Sequence, residues 1–168
     1  MIVLGVDPGS RVTGFGLVEK RGNRMACVHA GIIRPEKAVC FQERLHLLFR
    51  SLVAIIQEFR PSEMAIEDIF YAKNVKSALK LGHARGALLI AAAHCGVGIF
   101  EYTPLEIKKS VVGYGRGTKE QVQYMMKMIL GIRGDLHLDA TDALAAAVCH
   151  LNTASFRAAA HHAGGYTK

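Results

Sequence analysis

Four acidic residues stand apart from the rest by where they fall. Asp7 closes an apolar run, IVLGVD, just before a Pro-Gly turn, and Glu67 closes a second short run, EMAIE. Asp139 and Asp142 lie three apart in LDATDALAAAVCH, so they share one face of the helix that this segment predicts. Each has an ordinary alternative: Asp7 as a turn residue, Asp139 as a helix cap or dipole partner, Glu67 as solvated loop charge. Taken together at element ends, they point to a shared site. Carboxylates gathered at one point repel one another, and a bound divalent cation relieves that repulsion. Hard oxygen donors with no thiolate among them select Mg²⁺, or Mn²⁺ in its place, over zinc.

The elements that must deliver these acids follow from pattern. IVLGVDPGS reads as a buried strand ending in a turn, VTGFGLVEK as a second strand and MACVHAGIIR as a third, an antiparallel start joined near Arg21-Gly22-Asn23. Leu45, Leu48, Phe49, Leu52, Ile55, Ile56 and Phe59 recur at helical spacing, and Pro61 ends that helix. EMAIED is a fourth strand and IFEYT a fifth, with a long helix between them from about Asn74 to Cys95. Thr103-Pro104-Leu105-Glu106 and Thr118 with Gln121 are capping-box starts of two further helices. The last helix begins near Leu138. Alternating helices and strands after a meander predict an α/β fold: a five-stranded mixed sheet with helices on both faces, whose strand ends on one rim hold the site.

Length and composition set the frame. The chain has 168 residues, 51% of them hydrophobic, which suits one domain over 1–157 with a frayed tail over 158–168. Cys27, Cys40, Cys95 and Cys149 are scattered without zinc spacing, as expected of reduced cytoplasmic thiols. No signal-peptide pattern opens the chain, and the longest apolar run, ALLIAAAHCGVGIF, is too interrupted to span a bilayer, so a soluble cytoplasmic protein with no membrane partner is expected. The formal net charge of +7 favours a polyanionic partner.

At this point a resemblance enters. IVLGVDPGSRVTGFGLV, AIEDIFYAKNVKSALKLGHARG, TPLEIKKSVVGYGRGTKEQVQYMM and LDATDALAAAVCH resemble, in order, four blocks of the RuvC family of Holliday-junction resolvases, over nearly the whole chain to about residue 153. The resemblance implies a ribonuclease-H-like fold and an endonuclease that cuts four-way DNA junctions with paired symmetric nicks. It makes Asp7, Glu67, Asp139 and Asp142 the catalytic acids and the ligands of two Mg²⁺ ions. One ion would lower the pKa of the attacking water and the other would stabilise the departing 3′ oxygen, giving 5′-phosphate and 3′-hydroxyl ends. Asp7, on the innermost strand, would bridge the two. Lys119 matches the family's lysine beside the site, there to orient the nucleophile or neutralise transition-state charge.

The expected DNA surface surrounds that site. Lys73, Lys76 and Lys80 line one helical face, with Arg85 on an adjacent stripe; Lys108, Lys109, Arg116 and Lys119 flank a glycine loop, GYGRGTK. Phe70 matches the family's aromatic and Tyr71 adjoins it; either ring could stack on an unpaired base, and core packing is the alternative for Phe70. The resemblance further implies a homodimer and cooperation with the RuvA–RuvB branch-migration complex. Gly86, Leu89, Ile90 and Ala93 are the candidate interface, with burial inside the same subunit an equal alternative. Three rival functions remain: an ATPase of the actin-like superfamily, for which the chain is too short, a non-catalytic junction-binding protein, and a nuclease of RNA–DNA hybrids.

Overall fold

The computed structural model describes residues 1–36, 38, 40–68, 74–115 and 117–163, the last nine of these by backbone only. Five strands form one sheet: β1 (Ile2–Asp7), β2 (Thr13–Arg21), β3 (Arg24–Ile33), β4 (Glu63–Glu67) and β5 (Gly98–Tyr102). Their order is β3-β2-β1-β4-β5. β1 pairs antiparallel with β2 and parallel with β4, and β4 runs parallel to β5. The sheet is therefore mixed, with β1 in the middle.

Period-2 alternation sends successive side chains to opposite faces. Leu4, Val6, Met64 and Ile66 pack on one side with Leu48, Leu52 and Ile56 of α1 (Phe41–Phe59) and Ala84, Leu88 and Ala91 of α2 (Val75–His94). Val3 and Ala65 pack on the other side, with α3 (Pro104–Val112), α4 (Lys119–Leu130) and α5 (Leu138–Ala163). Helices thus cover both faces, each burying its own apolar layer.

The helix boundaries have local causes. Arg60 takes a left-handed conformation (φ 48°) after α1, its N–H donating to the Ile56 carbonyl, and Pro61 follows. Thr103 and Thr118 form the expected capping boxes with Glu106 and Gln121. α5 continues to Ala163, beyond residue 158 where the tail is expected to fray. The physical reason is composition: Ala158, Ala159 and Ala160 are strong helix formers, and glycines arrive only at 164 and 165.

Candidate active site

Alternation also fixes where the acids point. Gly5 and Asp7 share the β1 face that Val3 presents to α5, while Glu63, Ala65 and Glu67 share the same face of β4. α5 crosses this face very closely. A Cβ at Gly5 would lie 1.8 Å from the Ala143 carbonyl oxygen, and one at Gly14 would lie 1.9 Å from that of Asp139. Only glycine permits this approach, and Ala140, Ala143 and Ala147 complete it from the helix side. α5 runs opposite to β1 and β4: its first turn faces their C-terminal ends, and His150, further along, meets Glu63 at the start of β4. Asp139 and Asp142 are thereby brought over Asp7 and Glu67.

The four acids line one cleft of about 320 Å³, together with Lys108 from α3 and Lys119 from the start of α4. The loop after Asp7 is tied down by buried Thr13, whose Oγ1 donates to the Gly9 carbonyl at 2.8 Å. The electrostatics are those of crowded carboxylates. Burial, and then the charges of Glu67, Asp142 and Asp139, push the Asp7 pKa up to about 8. Glu67 and Asp142 are also raised, chiefly by burial. Asp7 and Glu67 share a side-chain hydrogen bond. Lys119 Nζ lies 3.5 Å from Asp142 Oδ2 and, with Lys108, offsets part of the crowding.

This is a donor set that fits hard cations. Among the described residues, no three His, Cys, Asp or Glu side chains are yet gathered tightly enough to hold a metal ion as they stand. Burial and the neighbouring carboxylates raise the proton affinity of Asp7, so added positive charge is favoured there. All four acids reach the same cleft, and among the described residues no sulfur or imidazole lines it. Asp7, Glu67, Asp139 and Asp142 would therefore supply oxygen ligands to Mg²⁺ or Mn²⁺.

Comparison with known proteins places the chain in a family. Residues 3–150 match the family described as crossover junction endodeoxyribonuclease RuvC. The chain belongs to the RuvC family. It is 48% identical over 157 residues to the RuvC of Trichlorobacter lovleyi, covering 94% of this chain and 88% of that one. It is 49% identical to the RuvC of Geobacter metallireducens, covering 94% and 96%. The structure superposes on Thermus thermophilus RuvC in complex with Holliday junction substrate with a TM-score of 0.88, at 31% identity, covering 94% and 96% of the two chains. The yeast mitochondrial Holliday junction resolvase, at 13% identity and a TM-score of 0.68, shares the fold. The ribonuclease-H-like architecture expected from the sequence is the observed one.

The other family-inferred positions divide into groups. Phe70, Tyr71, Lys73 and Arg116 lie outside the described residues. Lys76 and Lys80 are exposed in the first turns of α2, and Lys80 Nζ sits 6.0 Å from the centre of the Phe41 ring. Lys108 lines the cleft, whereas Lys109 is exposed and lines a separate depression with Glu101 and Glu106. Arg85 departs from its expected place on the DNA surface. Its side chain is 16% exposed and pairs with Asp68 Oδ1 at 3.6 Å and with Glu101. The reason is the pleat: Glu101 lies on the α2 face of β5, and a guanidinium opposite it finds two carboxylates before it finds solvent.

On the candidate dimer face, Ile90 (63% exposed) and Ala93 are exposed, while Gly86 and Leu89 are half-buried. Leu89 packs against the core of its own chain, so the face is shared between the two expected roles. Two constellations escape sequence reasoning. Buried His150 links the Tyr102 hydroxyl (2.8 Å) to Glu63 Oε2 (2.7 Å), tying β5, α5 and β4 together. His137 contacts Asp139 and Arg34 at the edge of the site. Their sequence signals were histidines placed at the start and middle of the acid-bearing helix.

Proposed function

We propose that this chain is a divalent-cation-dependent endonuclease that resolves four-way DNA junctions by paired nicks, leaving 5′-phosphate and 3′-hydroxyl ends. The observation that carries the reading is one cleft lined by four acids from three elements of the fold and flanked by two lysines. The relatives named crossover junction endodeoxyribonuclease and the Thermus protein with its Holliday junction substrate support the choice of DNA substrate.

Asp7, Glu67, Asp139 and Asp142 would hold Mg²⁺, which would supply the Lewis acidity for activating a water and stabilising the departing 3′ oxygen. The chain's own contribution is placement. Asp7 lies on the central strand, with Glu67, Asp139 and Asp142 all acting on its charge, and would be a ligand of the bound cations. Glu67 and Asp142 flank it, and their raised proton affinity makes each readily neutralised by added positive charge. Lys119 and Lys108 place cations where a phosphate must enter, favouring the extra negative charge of the pentavalent transition state. Exposed Lys76 and Lys80 of α2 are further cations available to DNA phosphates. Two-fold substrate symmetry calls for a homodimer with one site per subunit, and exposed Ile90 and Ala93 are among the α2 residues available to it. Cooperation with RuvA–RuvB belongs to the same reading by family membership.

The deciding experiment compares a mobile four-way junction, linear duplex and RNA–DNA hybrid, with Mg²⁺ or EDTA. The expected result is paired symmetric nicks in the junction only, in Mg²⁺ only. Asp7→Asn should bind the junction as the parent does and cut it at least about a thousandfold more slowly, as removal of a shared metal ligand demands. Normal cutting by that variant, or preferential hydrolysis of the hybrid, would refute the assignment.

A further inference from the structure

Glu67 stands at the end of a short strand. β4 has five residues, and its pairing with β1 stops at Ile66, so Glu67 is matched only by Tyr102 of β5. One more backbone bond continues that side: the Asp68 N–H donates to the Tyr102 carbonyl at 2.8 Å. The two neighbouring acids then diverge. Glu67 lines the cleft, while Asp68 meets Arg85 of α2 on the other face of the sheet. Arg85 Nη2 lies 3.6 Å from Asp68 Oδ1 and also donates to Glu101 Oε2. Glu101 directly precedes Tyr102, so one cation joins the ends of β4 and β5. Buried Ala84 and Leu88 on either side of Arg85 in α2 give it a fixed base. Its side chain is 16% exposed and its Nε is buried without a hydrogen-bond partner, so the two carboxylates at Nη2 are its ion-pair partners among the described residues.

The crowded cleft pushes against this strand end. The charge of Asp142 opposes that of Glu67, and Asp7 feels the charges of all three other acids. Turning the Glu67–Asp68 peptide and opening the last step of β4 would relieve the crowding, and strand ends open at low cost. Such a turn must also swing Asp68 away from Arg85. An ion pair that is partly withdrawn from water resists this more than a fully exposed pair would. We propose that Arg85 is a positioning residue for the active site: by pairing with Asp68 and Glu101 it clips the end of β4 to β5, and so holds Glu67 in the cleft against the repulsion of the other acids. Arg85 touches no group inside the cleft. It acts through one peptide unit, from the opposite face of the sheet. A ligand already held in place gives up less freedom on meeting a cation, and outer supports of this kind govern metal affinity.

The clip itself is independent of the substrate, and its consequence for cutting rests on the nuclease reading. Three measurements on the full-length chain keep them separate. In metal-free protein, amide hydrogen exchange should speed up at Asp68 in Arg85→Met by roughly tenfold more than in the β1–β2 ladder. Mn²⁺ binding followed by electron paramagnetic resonance should weaken roughly tenfold in the same variant. On a four-way junction, the rate of cutting once bound should fall by a similar factor, while junction affinity in EDTA stays within about twofold of the parent's. Arg85→Lys keeps the charge but not the planar fork, and should fall between Arg85→Met and the parent in all three. Asp68→Ala breaks the clip at its other end, leaves Arg85 paired with Glu101, and should reproduce the exchange and Mn²⁺ effects. Joining it to Arg85→Met should add nearly nothing, as for two members of one contact. Equal acceleration of the Asp68 amide and the β1–β2 ladder overturns the proposal, because Arg85 would then serve stability alone. So does parental Mn²⁺ affinity in both Arg85→Met and Asp68→Ala. Weaker junction binding by Arg85→Met in EDTA, with an unaltered rate once bound, also overturns it and makes Arg85 a phosphate contact. If the exchange and Mn²⁺ results hold but the parent cuts no junction, the positioning role stands and the nuclease reading alone falls.

Discussion

At the scale of single residues, the site is a store of unfavourable charge. The proton affinity of Asp7 is raised from 3.8 to about 8 in the folded chain. The folded state therefore binds this proton more tightly than the unfolded state, and between about pH 4 and pH 8 stability falls as pH rises. Asp7→Asn removes the ionisable group and can keep a hydrogen bond to Glu67. In EDTA at pH 8 it should melt above the parent by several degrees, on the order of 2–4 °C per kcal/mol for a chain of this length. The gap should close as pH approaches 4, and Mg²⁺ should narrow it at pH 8 by stabilising only the parent. Scanning calorimetry checks this, and a lower melting temperature for the variant in EDTA at pH 8 would contradict the crowding. Lys119 makes the complementary case. Its side chain is 67% exposed, so its pair with Asp142 adds little to stability in water. Lys119→Met should leave the melting temperature and junction binding in EDTA almost unaltered. It should slow cleavage at saturating Mg²⁺ by about 10²-fold, the usual effect of removing one transition-state contact. An equal loss of binding and rate would make Lys119 a DNA anchor instead.

At the scale of elements, the site exists because one helix lies very close to the sheet. Gly5→Ala forces a methyl group into the Ala143 carbonyl, where backbone must move. The expected loss is about 3 kcal/mol or more, beyond ordinary overpacking, since no side chain can swing aside. Gly82→Ala is the matched control: a Cβ there meets nothing within 4 Å, and alanine should gain about 0.5–1 kcal/mol by helix propensity. Denaturant titration of both variants tests the contact, and a mild effect at Gly5 would mean that α5 can lift without harm. This close approach also explains what sequence reasoning reached. The strands, the capping boxes and the positions of Asp7, Glu67, Asp139 and Asp142 at element ends follow from period and turn chemistry, both local. Convergence is not local: it depends on Gly5 and Gly14 lying opposite the alanines of α5, a complementarity across more than a hundred residues of chain. Arg85 shows the converse case. Helical spacing groups it with the lysines, but only the pleat of β5 reveals Glu101 beneath it. His137 and His150 were illegible for the same reason, since their partners Arg34 and Glu63 arrive from other elements.

At the scale of the whole molecule, positive charge and exposed apolar area are divided between regions of the surface. The chain carries a formal charge of +7, yet its cleft is acidic, so the excess positive charge lies outside it. Along α2, Val75, Leu79 and Ile90 are 76%, 59% and 63% exposed, an apolar stripe unusual on a helix that already buries Ala84, Leu88 and Ala91 against the core. A second subunit is the occupant that fits the proposed reading, in which the substrate is two-fold symmetric. Ile90→Glu places a charge in that contact without touching the cleft. The parent should sediment as a dimer and the variant as a monomer, with an unaltered melting temperature at low protein concentration. On a plasmid bearing an extruded four-way junction, paired cuts release linear DNA and single cuts leave nicked circles. The variant should shift the products from linear to nicked by several-fold, because two monomers no longer arrive on one junction together. Retained dimerisation in Ile90→Glu would place the interface elsewhere. A monomer that still linearises the plasmid would show that pairing of the two cuts comes from the DNA and not from the protein.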